Sequence, residues 1–204
     1  MLKAKIGDRL DPYLYNISHF IQRMGLKPNT LTLIGLSLNG LAAWALAVGE
    51  WSQGACLILL AGFFDIMDGA VARNCGETSI FGSFLDSVLD RYSDLSLLIG
   101  LLIFYAQQKL VLYQVLLGLS LMGTALVPYA RARAELVMPQ CNVGILERPE
   151  RILLIFLGAA IPQIMEIIIW ILAVLTNFTV GQRIFYAYKY MSGKEKEGER
   201  YLSR

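Results

Sequence analysis

Residues 63–90 read Phe-Phe-Asp65-Ile-Met-Asp68-Gly69-Ala-Val-Ala72-Arg73-Asn-Cys-Gly-Glu-Thr-Ser-Ile-Phe-Gly82-Ser-Phe-Leu-Asp86-Ser-Val-Leu-Asp90. Four aspartates lie here inside segments otherwise apolar enough to sit in a bilayer. An intramembrane acid costs a few kcal/mol at least, so such residues face a cavity and mark function. Asp65 and Asp68 are three residues apart, and Asp86 and Asp90 four apart. On helices each pair shares one face, with Cβ atoms about 5–6 Å apart. A short turn around residues 74–79 makes the two helices neighbours and places both pairs at similar depth.

Working outward, the chain has 204 residues, 56% hydrophobic and 17% charged. Soluble domains carry roughly 25% charge, so the balance predicts a membrane protein. The length suits a single domain, 1–204. A spanning helix needs about 20 apolar residues. Candidate spans run over 31–49, 53–73, 80–106, 110–129, 151–161 and 164–184. The fifth is the weakest, being short and ended by Pro162. The predicted fold is all-α and integral to the membrane, with six transmembrane helices and an N-terminal amphipathic interfacial helix. In that helix, over residues 3–24, Ile6, Leu10, Tyr13, Leu14, Ile17, Phe20 and Ile21 recur at helical spacing among Lys3, Lys5, Arg9 and Arg23. The charged tail, 191–204, is expected to fray.

Threading six spans from a cytoplasmic N-terminus leaves only Lys109, of the 18 Lys and Arg, on the far side. The positive-inside rule therefore predicts both termini, and the acidic cluster, on the cytoplasmic face of a cell membrane. Net charge is +2 and no basic helix or RNP-like box appears, which excludes a nucleic-acid partner. Asp8, Arg9, Asp11 and Pro12 break any signal-peptide core. Cys56, Cys75 and Cys141 form no CxxC pair and are read as inert, and His19, the one histidine, as a surface residue.

Four carboxylates in a poorly solvated space must be protonated or neutralised. Arg73 and Arg91 are the few basic residues nearby, and two divalent cations would supply the missing charge. Oxygen-only donors suit Mg²⁺, Mn²⁺ or Ca²⁺ and exclude Zn²⁺. Mg²⁺ favours few carboxylates plus phosphate oxygens, which points to a phosphate-bearing substrate. Gly69 lets a diphosphate approach the backbone, and Arg73 lies one turn beyond. Taken alone, the acids fit an ion or proton transporter equally well.

The full spacing is Asp65-x-x-Asp68-Gly69-x-x-Ala72-Arg73, eight residues, then Gly82-x-x-x-Asp86-x-x-x-Asp90. It resembles the signature of the CDP-alcohol phosphotransferases. The resemblance covers about residues 25–187. It implies a six-helix homodimer with a cytoplasmic cavity and a transfer from a CDP-linked lipid to an alcohol with release of CMP. It implies Mg²⁺, two ions with Mn²⁺ as a substitute, held by Asp65, Asp68, Asp86 and Asp90, with Asp90 also the catalytic base. The CDP-lipid would lie against Asn29, Thr32, Gly69, Ala72, Arg73, Gly82 and Ser83.

Within the family, residues 81–94 resemble the phosphatidylinositol phosphate and archaetidylinositol phosphate synthases. Pro128-Tyr-Ala-Arg131-Ala-Arg133-Ala-Glu135 and Glu147-Arg148-Pro149-Glu150-Arg151 are similar to the stretches that hold the acceptor's phosphate. The implied acceptor is a phosphorylated polyol, inositol 1-phosphate, held by Arg131, Arg133, Arg151 and Arg183; glycerol 3-phosphate is the alternative. The chain departs from the pattern at Pro128, where serine is expected, at Arg131, where lysine is expected, and at Ala187, where a second late basic residue is expected. Arg131 and Arg133 cannot point the same way on one helix.

Overall fold

The structure, a computed structural model, describes residues 15, 17–25, 27–76 and 78–202, with side chains as far as Lys194. It is all-α: α1 (Pro28–Ala47), α2 (Trp51–Asn74), α3 (Ile80–Gln107), α4 (Val111–Ala134), α5 (Arg148–Ala160) and α6 (Met165–Leu202), with a 3₁₀ turn, Pro162–Ile164, between the last two. Each boundary has a local cause. Pro28 opens α1, where its missing N–H is not needed. Ser79 caps α3, its hydroxyl accepting from the Gly82 N–H at 2.9 Å. Pro162 ends the α5 run, as its ring and absent N–H require.

Among the described residues, four helical stretches are long and apolar enough to cross a membrane: Pro28–Ala47, Trp51–Asn74, Val111–Ala134 and Pro162–Lys194. α3 has the length, at 28 residues, but its first half carries Asp86, Asp90, Arg91 and Asp94. α5 has 13 residues, about 20 Å of helix against a hydrocarbon core of about 30 Å. The helix order thus agrees with the expected one, while length and composition alone support four crossings. The outer faces remain apolar: Leu41, Trp44, Leu59, Phe63, Ile103 and Trp170 are all exposed. Such faces on long helices are at home in lipid.

α1 packs against α2 and α3, and α4 packs against α6 and α3. One continuous core joins them, including Leu46 (α1), Ile58 (α2), Leu101 (α3), Leu117 (α4), Ile155 (α5) and Ile169 (α6). Two glycines set the closest approaches. A Cβ on Gly100 would lie 2.2 Å from the Ala43 carbonyl oxygen, and one on Gly123 would lie 2.2 Å from the Thr176 hydroxyl. Small residues at helix crossings are what membrane bundles use to bring backbones together. Buried hydroxyls bond back within their own helix: Ser120 to the Leu116 carbonyl at 2.9 Å and Thr176 to that of Leu172 at 2.7 Å.

Residues 17–23 are helical and dock on the end of α2. Asn74 donates to the Ser18 hydroxyl at 3.0 Å, and Ile21 packs on Leu31, Met67 and Val71. Ile17 and Phe20 stay exposed. Ile6, Leu10, Tyr13 and Leu14 of the expected interfacial helix lie outside the described residues. His19, read as a surface residue, is half-buried, its ring edge-on to Tyr15 at 4.4 Å. The tail also departs from expectation: the α6 backbone stays helical to Leu202 instead of fraying after Tyr190. Its lysines and glutamates are good helix formers and no proline interrupts them. Among the described residues no cysteine forms a disulfide.

Gly100→Ala should lower the unfolding temperature in detergent, since overpacking against a fixed backbone costs about 1–3 kcal/mol. Gly118→Ala, with open space where the methyl would go, should leave it unchanged or slightly raised.

Candidate active site

The turn between α2 and α3 brings the two acidic helix faces together. One carboxylate oxygen from each of Asp65, Asp68 and Asp86 lies within 4.8 Å of the others. Asp68 is buried, and its Oδ2 has no partner among the described residues. A buried carboxylate oxygen left bare, beside two more carboxylates, fits a cation that would satisfy all three. The all-oxygen donor set can hold a hard divalent metal.

Asp90 is placed differently. It follows Asp86 by one turn and is drawn to Arg148, whose Nη2 lies 2.9 Å from its Oδ1. Arg148, the first residue of α5, also contacts both Asp65 oxygens through Nη1, at 3.1 and 3.0 Å. Its Nε donates to Asp94 at 3.3 Å, and the other Asp94 oxygen meets Arg151 at 2.6 Å. Sequence reasoning had not assigned Arg148 or Asp94 to the site. Asp94 could have been found as the next step of the i, i+4 row Asp86–Asp90–Asp94. Arg148 had no such signal, because 57 residues of chain separate it from Arg91.

Two cavities flank the acids. One, of about 220 Å³, is lined by Asn29, Thr32, Asp68, Gly69, Ala72, Arg73, Gly82, Ser83 and Asp86. It gathers every residue expected to hold the CDP-lipid. Gly82 matters for shape: a Cβ there would meet the Ser79 hydroxyl at 2.8 Å and the Asn29 Oδ1 at 3.2 Å.

The other cavity, about 390 Å³, is lined by Arg91, Arg131, Arg148, Arg151 and Arg183 with Glu135 and Glu147. Arg133 is exposed and does not line it, so the helical alternation of Arg131 and Arg133 separates the pair. The three remaining arginines differ in what they have free. Arg183 is buried and donates to the Val143 carbonyl at 2.8 Å and the Val127 carbonyl at 2.6 Å, tying α6 to α4 and the loop before α5. Arg131 is shared with Glu135 at 2.9 Å and Asn142 at 3.3 Å. That guanidinium, with the Cys141 N–H, holds the Glu135 carboxyl below its ordinary pKa. Arg151 is buried, and its Nε and Nη1 have no partner among the described residues. Buried donors left unpaired cost about 1–3 kcal/mol each, a cost an anion in the cavity would remove.

With this geometry in view, comparison with known proteins is decisive: residues 26–179 match CDP-alcohol phosphatidyltransferase. The chain belongs to that family. It is therefore a CDP-alcohol phosphatidyltransferase of phospholipid synthesis, a membrane enzyme with a metal-binding acidic cluster. It is 36% identical over 187 residues to the archaetidylinositol phosphate synthase of Pyrococcus horikoshii, covering 91% of this chain and 96% of that one. It is 34% identical over 175 residues to the phosphatidylinositol phosphate synthase of Mycobacterium marinum, covering 80% and 74%. The fold is similar to that of the Mycobacterium tuberculosis phosphatidylinositol phosphate synthase with CDP-DAG bound, at a TM-score of 0.80 and 29% identity, covering 86% and 93%. The structure of that enzyme with manganese and citrate gives a TM-score of 0.78 at the same identity, covering 86% and 88%. For this transferase the transporter reading of the acids falls away.

Arg183→Met should lower the unfolding temperature of the substrate-free protein, because leaving the buried Val127 carbonyl bare costs about 1–3 kcal/mol. Arg131→Met should leave it within about 0.5 kcal/mol, as for other exposed pairs. Thermal unfolding of both variants in detergent checks the contrast.

Proposed function

We propose that this transferase moves a phosphatidyl-type group from CDP-diacylglycerol or CDP-archaeol to inositol 1-phosphate, releasing CMP. The observation that carries the reading is the basic cavity beside the carboxylates, bordered by Arg131, Arg148, Arg151 and Arg183; of these Arg151 keeps two buried nitrogens without a partner among the described residues. A neutral alcohol gives such donors little; a phosphate accepts several charge-assisted hydrogen bonds. The names of the relatives, archaetidylinositol and phosphatidylinositol phosphate synthases, support the same acceptor.

In this mechanism Asp65, Asp68, Asp86 and Asp90 hold two Mg²⁺ ions, with Mn²⁺ as a substitute. The ions, when bound, neutralise the diphosphate and make its lipid-side phosphorus more electrophilic. Asn29, Thr32, Gly69, Ala72, Gly82 and Ser83 form the wall against which the cytidine diphosphate lies. Arg73 supplies it with a positive charge. Arg151, Arg131 and the spare N–H groups of Arg183 hold the acceptor's phosphate, orienting its hydroxyl toward the acids; Arg133 is left outside. Asp90 takes the proton from that hydroxyl at a carboxylate oxygen as it attacks phosphorus. The P–O bond to CMP breaks as the new P–O bond forms, leaving a phosphodiester.

The same reading places the enzyme as a homodimer in a prokaryotic cell membrane. Its helices α1–α6 are threaded six times, with both termini and the site on the cytoplasmic side. The amphipathic stretch 3–24 would lie in the cytoplasmic interface.

An acceptor panel on purified protein should give CMP release with inositol 1-phosphate and little with free inositol or serine. Preference for glycerol 3-phosphate would move the assignment to the alternative. Arg151→Ala should lower acceptor kcat/KM roughly ten- to a hundredfold, the worth of a charged hydrogen bond of about 1.5–3 kcal/mol, while the CDP-lipid KM holds.

Asp68→Asn should reduce turnover below about a tenth of wild type at saturating Mg²⁺. Asp90→Asn should lose transfer yet still bind CDP-lipid by calorimetry. Abolished binding in the second variant would make Asp90 a metal ligand first.

A further inference from the structure

Arg148 serves two regions at once. It borders the basic cavity with Arg151 and Arg183, yet its guanidinium is turned into the acids. Both Asp65 oxygens lie within 3.1 Å of Nη1, and Asp90 lies 2.9 Å from Nη2. Asp65 is one of the three carboxylates that converge on a common point, and Asp90 is proposed to join them. The guanidinium therefore stands against the same oxygens that a divalent ion would use.

Two consequences follow from elementary electrostatics. With no metal present, carboxylates this close repel one another; a fixed guanidinium offsets that repulsion and aims Asp65 and Asp90 inward. With a metal present, the same guanidinium is a like charge a few ångströms away, and the two repel. The contacts of Arg148 allow it to yield. Its Nε, nearest the stem, is held by the buried Asp94 at 3.3 Å, while its terminal nitrogens carry the contacts to Asp65 and Asp90. The adjoining cavity of about 390 Å³ offers room for those terminal nitrogens.

We propose that Arg148 is a positioning residue that occupies the place of the metal charge: it holds Asp65 and Asp90 in place, competes with the divalent cation for them, and gives them up as metal binds. Released, its guanidinium faces the basic cavity and adds a donor for the acceptor's phosphate. Loading of metal then strengthens anion binding next door, and the coupling runs equally in reverse. This inference rests on the reading of the aspartates as a metal site.

The test is Mn²⁺ affinity of the full-length protein in detergent, read from the electron paramagnetic resonance signal of free Mn²⁺. Wild type is compared with Arg148→Met and Arg148→Lys. Removing a competing charge should tighten Mn²⁺ binding in Arg148→Met by about tenfold or more, the scale on which a neighbouring charge shifts a carboxylate's ionisation. The metal-free unfolding temperature should fall and its rise on adding Mn²⁺ should grow. A residue that merely scaffolds the site predicts the opposite sign, so equal or weaker Mn²⁺ affinity in Arg148→Met overturns the proposal. If Arg148→Met does not fold, Arg148→Lys decides. It keeps the charge but loses the planar fork, and should bind Mn²⁺ a few-fold more tightly; equal or weaker binding overturns the proposal. A wild type that binds no Mn²⁺ would overturn the metal-site reading itself.

Discussion

Carboxylates that repel one another must be held together by something, and in this enzyme that constraint organises the acidic end of the bundle. Asp65, Asp68 and Asp86 converge to within 4.8 Å across two helices. The short turn from Asn74 to Ile80 makes the convergence possible, and the Ser79 cap fixes where α3 begins. Charge balance comes from a third helix. Arg148 at the start of α5 reaches Asp65 on α2 and both Asp90 and Asp94 on α3. One guanidinium thereby locks three helices by a set of planar hydrogen bonds that lysine could not reproduce.

The two cavities take their character from this arrangement. On one side α1, α2 and α3 supply a wall with little side-chain bulk, where Arg73 is the basic residue beside Asp68 and Asp86. On the other side the ends of α4, α5 and α6 supply arginines in different states of engagement. Arg183 is used largely to tie the α4 carbonyls and the loop to α6. Arg151 is anchored through one nitrogen to Asp94 and keeps its others free. Asp94, at almost no exposure to solvent, pairs with both Arg148 and Arg151.

The supporting bundle meets a different demand, since its outer surface is apolar and cannot drive helices together in lipid. Close packing at Gly100 against Ala43 and at Gly123 against Thr176 supplies what the hydrophobic effect does not. Hydroxyls in the core bond back to their own helices, as Thr176 and Thr179 do. Among the described residues, Asp68 Oδ2 and Arg151 Nε and Nη1 stay unpaired at the site, as do single atoms of His19, Thr124 and Gln182. Unpaired buried donors and acceptors are costly, and those beside the acids and the basic cavity point to ligands.

By itself the sequence determined the helical class, the order and approximate ends of the helices, and the acidic faces of α2 and α3. Those properties are local: apolar runs, prolines, caps and i, i+3 or i, i+4 spacing act within a few turns of chain. The grouping of Gly69, Ala72, Arg73, Gly82 and Ser83 around one cavity was legible for the same reason, since they lie on short segments flanking one turn. What only the tertiary structure decided lies across long separations. It placed Arg148 among acids from 54 to 83 residues away. It turned Arg133 outward while Arg131 faced the cavity, and consumed most of Arg183 in ties to backbone carbonyls. It also carried α6 on as helix to Leu202. An arginine at a helix end reads alike whether it marks topology, braces a loop or grips an anion. Its role depends on which partners the folded chain brings within about 3 Å, and no local pattern encodes that.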